Sequence, residues 1–175
     1  MKDSHRILAY YYFLIFKDMT MLSTTTKILS ALALVALLSS CSMGEMMVHE
    51  KQSPYEFDKT VEVITANAKA HGWIMPKVYD FQESLLKHKQ PDPGKVKVLK
   101  ICQPEYAGKM LSQDDSKFVA AMMPCSIAVY VKSDGKVYVS SMNMGLMSKM
   151  FSGVVGDTLA EVASDDAKIL SFLEK

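Results

Sequence analysis

Three cysteines and a run of methionines are the residues of this chain best suited to chemistry. Cys102 and Cys125 bracket a loop of about 24 residues, and in an oxidising compartment two cysteines in a domain of this size often pair. A disulfide there would contribute roughly 3 kcal/mol in the chain-entropy model. An antiparallel arrangement of the strands that carry them would bring both to one end of a sheet, and a parallel one would hold them apart. Left unbridged, each thiol is either an inert apolar residue or a redox or metal-binding group. Downstream stand Met142, Met144, Met147 and Met150. Thioether and thiolate ligands suit Cu(I), which makes thiol or Cu(I) redox chemistry with these residues the alternative function. Three of the four also fall at helical spacing, the pattern of a buried stripe. Methionine fills irregular gaps in cores and interfaces, so core or dimer packing is the favoured reading.

No other constellation carries a reaction. His49, His71 and His88 lack metal-motif spacing. Serine, histidine and aspartate all occur, but no nucleophile elbow places them. Asp80 and Glu105 have nothing in the sequence to pair them, and neither a phosphate-cradling glycine loop nor a dinucleotide fingerprint is present. No enzyme class has positive support, and no cofactor is expected unless Cu(I). Arg6 is the only arginine, and Lys2, Arg6, Lys17 and Lys27 with Asp3 and Asp18 all precede Cys41. Removing that segment leaves 16 basic against 17 acidic residues. Nucleic-acid binding leans on arginine forks and basic patches, so a nucleic-acid partner is set aside.

Cys41 is the third cysteine, and its setting is an address. Met21–Cys41 reads MLSTTTKILSALALVALLSSC: one lysine, the apolar run Ile28–Leu38, then small residues. That is the order of a secretory signal peptide, and a run of about 11 residues is too short to span a bilayer as a helix. Leu38-Ser39-Ser40-Cys41 resembles the lipobox of bacterial lipoproteins, in which cleavage precedes the cysteine and the cysteine is acylated. Ser42 behind it, in place of aspartate, leans towards the outer membrane and its periplasmic face. The expected organisation is a signal peptide over 1–40, a lipid-anchored tether over 41–46 and one domain over 47–175. Residues 1–20, with a second apolar run ILAYYYFLIF, fit a start-site artefact or a short membrane-associating segment.

The elements that must position these residues follow in order. Met46-Met47-Val48 starts a first strand. Ser53, Pro54 and Glu56 carry an N-cap, a first-turn proline and a capping-box carboxylate. Phe57, Val61, Ile64 and Ala68 then form one apolar stripe, ended by His71-Gly72. Trp73–Phe81 is a strand that Pro76 confines to an edge or a bulge, and Gln82–Gln90 is a short helical turn before the PDPG loop. Lys95–Ile101 alternates as a strand with one wet face. Pro104–Leu111 is helical, and Asp114-Asp115-Ser116 caps a further turn. Ser126–Lys132 and Lys136–Ser141 make a hairpin whose Asp134-Gly135 tip suits a type I′ turn. Met144–Phe151 is a short helix, and Thr158–Leu173 an amphipathic one that Ser164-Asp165-Asp166 breaks and recaps. The order β-α-β-β-α-β-β-α with local antiparallel pairing gives an α+β domain, a small curved antiparallel sheet with helices packed on one face.

SPYEFDKTVE, KVKVLKICQPEYAGKML, MPCSIAVYVKSDGKVYVSSMN and NMGLMSKMF together resemble the family known as domain of unknown function 302, over about Val48 to Leu173. Many members carry an arginine after the Pro-Cys pair, where this chain has Ser126. The resemblance implies the α+β fold above and a homodimer, supplies no catalytic residues, and is shared by bacterial lipoproteins. The sequence therefore points to a lipid-anchored envelope protein whose domain binds a small ligand or assembles. The place to look for a ligand is an apolar, methionine-lined groove between the sheet and the last helix.

Overall fold

The computed structural model describes residues 46–174; the expected leader and Cys41 lie outside the described residues. Alternation sets the architecture. In β3 (Val96–Cys102), β4 (Cys125–Val131) and β5 (Val137–Met142), Leu99, Ile101, Ile127, Val129, Val137 and Val139 are buried while their neighbours are not. One face of the sheet is therefore core and the other is open. β1 (Val48–Gln52) pairs with β5, and β2 (Ile74–Asp80) with β3, giving a five-stranded, wholly antiparallel sheet in the order β1-β5-β4-β3-β2. Pro76 sits in edge strand β2, where the register shifts between Ile74 and Lys77; an edge bulge leaves its missing N–H without consequence.

α1 (Phe57–Ala70) lays Phe57, Ile64 and Ala68 on the core face, and α5 (Gly153–Ile169) lays down Val155, Leu159, Val162 and Ile169. α3 (Pro104–Leu111) adds Met110, the 3₁₀ segment Asp114–Met122 adds Val119, and α4 (Met144–Ser148) adds Met144 and Met147. α2 (Phe81–Lys87) buries nothing. The open face carries Val98, Ala128, Tyr130, Tyr138 and Ser140, all half-buried. Among the described residues no helix is long and apolar enough to cross a membrane.

Local chemistry sets three features differently from the sequence pattern. Ser53 does not cap α1, because its N–H still donates to Val137 O (2.8 Å) and prolongs the β1–β5 ladder. Its Oγ instead accepts from Tyr55 N and bonds Thr60 Oγ1, so the helix begins four residues later at Phe57. The hairpin tip is not type I′. Gly135 alone has positive φ (+76°), while Gly135 N donates to Lys132 O and Lys132 N to Lys136 O. That is the longer loop ending in a left-handed glycine, with Asp134 Oδ1 accepting from Lys136 N. Finally, α5 starts at Gly153 and runs unbroken through Ser164-Asp165-Asp166. Both carboxylates bond to other elements, so neither competes for its own backbone.

Candidate functional site

Between β1, β5 and α5 the core face does not close. β1 turns His49 and Lys51 toward the helix layer, cross-strand from Ser141 and Val139, and polar side chains there give α5 nothing apolar to pack on. α5 answers with small residues: Ala163 and Ala167, one turn apart, flank Asp166 and are followed by Leu170. The resulting groove, about 360 Å³, is floored by Asn143, Met144 and Gly145 and closed at one end by Leu173 and Glu174. Lys51 Nζ and Glu174 Oε1 form an ion pair at its rim.

The groove's polar centre is Asp166, half-buried, which accepts a hydrogen bond from Ser141 Oγ at 3.1 Å. Burial pushes its carboxyl above the usual carboxylate range, against the opposing influence of the Ser141 hydroxyl and the His49 charge. Ser141 is committed as donor to a carboxylate. A hydroxyl nucleophile needs a base that takes its proton and is itself oriented, so Ser141 acts as a clamp on Asp166. The arrangement can hold an apolar body against Val139, Met144 and Leu170 while Asp166 receives a donor from it.

The sequence-selected residues lie elsewhere with one exception. Only Met144 of the four methionines lines the groove. Met147 is core, Met142 is half-buried at the end of β5, and Met150 is 62% exposed, so the four do not share one site. Cys102 and Cys125 are free thiols at one end of the antiparallel β3–β4 pair. Cys125 is cross-strand from buried Ile101 and packs against the core, whereas Cys102 pairs with Ile74 on the other side of β3. Burial pushes the Cys125 thiol up to about 11, with Asp166 adding to the effect, and burial raises Cys102 also. Neither is the depressed thiol that redox chemistry favours. His71 and His88 are helix C-caps. Asp80 caps α2 through Glu83 N, and Glu105 pairs with Lys109 at 3.3 Å, so these two carboxylates have separate roles. Among the described residues no three His, Cys, Asp or Glu side chains converge on a metal position.

Sequence reasoning missed His49, Ser141 and Asp166 as a group. The available signal was a β1 strand with polar residues on alternate positions that should face a core, opposite an Ala-x-x-Asp-Ala-x-x-Leu stripe on the last helix.

A family model described as "Domain of unknown function DUF302" matches residues 49–173. Among solved structures the chain is similar to "uncharacterized conserved protein DUF302 from Bacillus stearothermophilus". The identity is 18% and the TM-score 0.65, with 73% of this chain and 98% of that one covered; the likeness is one of fold. No curated protein matches.

Proposed function

The chain belongs to the DUF302 family, and on that premise we propose that it is a lipid-anchored envelope protein whose domain binds a small amphiphile in the groove beneath α5. The observation that carries the binding half is Asp166, a half-buried carboxylate lining a groove whose apolar wall is Val139, Met144 and Leu170, and destabilised in its charged form. Functional groups are recurrently held in such unfavourable states by the fold around them. The anchoring half is supported by the lipobox-like ending at Cys41.

Fluorescence enhancement of N-phenyl-naphthylamine, an apolar probe with one N–H donor, tests the groove. Ala167→Trp, which places a ring across the mouth, should weaken its binding roughly tenfold, the loss of one aromatic contact's worth of burial. Unchanged binding removes the groove from the reading. Asp166→Asn should raise stability at pH 7 by up to about 1 kcal/mol, roughly 4 °C in the melting midpoint. The sign follows from the raised carboxyl: the parent is penalised when Asp166 is ionised, above its folded pKa. The gain must therefore vanish below the unfolded value, where both states are protonated. A destabilised Asn variant would contradict it. Cys41→Ser should abolish flotation with membranes, and a variant that floats like the parent would end the anchoring half.

The open sheet face supports a second role, assembly of two copies. It presents small Ala128 at the centre of the middle strand, beside half-buried Tyr130, Tyr138 and Ser140, with Lys77 and Lys100 towards one edge and the Lys132–Glu50 ion pair (2.6 Å) towards the other. A two-fold axis parallel to β4 would stack Ala128 of one copy over Ala128 of the other, as a self-complementary interface requires. Ala128→Glu sets like charges at the axis. Light scattering should report a dimer for the parent and a monomer for the variant; a monomeric parent at high concentration overturns the assembly.

A further inference from the structure

At the end of the sheet where β1 begins, a second apolar surface is left uncovered. Phe118, on the 3₁₀ segment, is 61% exposed, and Met150, just past α4, is 62% exposed. Phe118 leans on Phe151 with ring centroids 6.1 Å apart, and Met150 lines the same shallow concavity as both, so the three side chains form one patch. Lys117 and Lys149 flank it, with Asp114 paired to Lys117 and Asp115 beside it. Isolated exposed apolar residues need no explanation, but a contiguous aromatic and methionine patch marks a contact surface.

The position of the patch indicates what covers it. Asn143, the N-cap of α4, takes hold of the start of the domain: its backbone N donates to Met47 O at 2.8 Å and its Nδ2 to Met46 O at 2.9 Å. From Met144 to Met150 the chain advances only about 9 Å if helical. Met46, itself 53% exposed, thus lies at the patch's own end of the sheet. Cys41 is five residues before Met46, and an extended chain of that length reaches at most about 18 Å. A lipid on Cys41 would hold a bilayer within that distance of Met46, at the end of the sheet that carries the patch, and the nearby basic and acidic side chains roughly cancel, so apolar insertion is the main attraction.

Resting on the anchored reading above, we propose that Phe118, Met150 and Phe151 form a membrane-contact surface that dips into the headgroup–acyl boundary and fixes the domain's orientation on the bilayer. The groove beneath α5 would then face a set direction relative to the lipid.

The test separates this from the anchor. Among the described residues every buried apolar side chain lies between Phe57 and Phe172, so the chain from Met46 onward retains all of that core. It can be tethered by an N-terminal hexahistidine tag to phosphatidylcholine vesicles doped with nickel-chelating lipid. Phe118→Trp is compared with Ser133→Trp at the hairpin tip, on the opposite end of the sheet, with Trp73 a constant background. Chain-brominated phosphatidylcholine should quench the indole introduced at position 118 roughly twofold, since interfacial side chains sit at that depth. The indole introduced at position 133 should keep its emission. Adding Met150→Asp to the Phe118→Trp variant should remove the quenching. Equal quenching at the two positions overturns the proposal, as does quenching that survives Met150→Asp. Neither result depends on Cys41, whose failure as an anchor would appear in the flotation assay alone.

Discussion

Gly156→Ala is expected to destabilise the domain by about 3 kcal/mol, a fall of roughly 10 °C in melting midpoint. In an ordinary helix interior the same change is favourable by about 1 kcal/mol, so the sign itself is diagnostic. A Cβ on Gly156 would stand 2.3 Å from Phe151 O, 3.0 Å from its carbonyl carbon and 3.1 Å from Ser148 O. All three are backbone atoms, which cannot rotate aside as a side chain would. Relief requires lifting α5 off α4, and those helices bring Met144, Met147, Val155 and Leu159 to the core. The cost therefore sits at the upper end of the overpacking range. Gly108→Ala in α3 is the matched control: its Cβ meets nothing within 4 Å and its φ is ordinary, so it should stabilise by up to about 1 kcal/mol. Urea melts of both variants decide. A Gly156→Ala protein as stable as the parent would mean that α4 and α5 do not approach this closely.

That elbow shows where sequence periodicity stops being informative. The α1 stripe and the alternation of β3, β4 and β5 are local patterns, and the helix and strands they predict are present because burial follows the pattern directly. Pro76 likewise placed β2 at an edge through the chemistry of one missing donor. The start of α5 was not legible. Gly153-Val154-Val155-Gly156 has poor helix propensity, and only packing against α4 makes it helical. The groove was hidden for a related reason. Ser141 and Asp166 become neighbours through strand pairing and helix docking, with no spacing in the chain to announce them. The methionines were misleading as a ladder because consecutive ones fall on a strand end, a helix and a turn. An expected methionine-lined groove thus became one of mixed lining, in which alanines and leucines of the last helix layer face His49, Lys51 and Ser141 around Asp166, with Met144 alone contributed by the ladder.

The other substitution with a large expected effect is Asp165→Ala, about 3 kcal/mol destabilising at pH 7. Asp165 is 9% exposed and ties three elements together. Its Oδ2 accepts from Trp73 Nε1 at 3.3 Å, in the link between α1 and β2, and from Tyr106 OH at 3.0 Å, on α3. Its Oδ1 accepts from Lys168 Nζ at 2.8 Å. The two rings meet edge to face at 6.0 Å, so losing the carboxylate leaves two donors and an aromatic pair without their common anchor. Hydrogen bonds to a charged group contribute roughly 1.5–3 kcal/mol, and stranding buried donors adds to the loss. Lys168 is half-exposed and re-solvates, which keeps the total near the lower end of that combined range. Asp165→Asn keeps an acceptor oxygen for Trp73 and Tyr106 but gives up the charge, so it should recover about half the loss. The pH dependence separates the two contributions. Burial acts to raise the Asp165 carboxyl, but the hydrogen bonds from Lys168, Trp73 and Tyr106 prevail and hold it below its ordinary 3.8. A depressed acid contributes stability that is complete above the unfolded pKa and disappears as pH falls through the folded one. The parent should therefore lose this contribution on acidification from about pH 4 downward, and the gap between parent and Asp165→Asn should narrow over the same interval. A gap that stays constant down to about pH 2 would assign the effect to packing around the indole and phenol rings. An alanine variant that melts with the parent at neutral pH would show that the anchor is not needed at all.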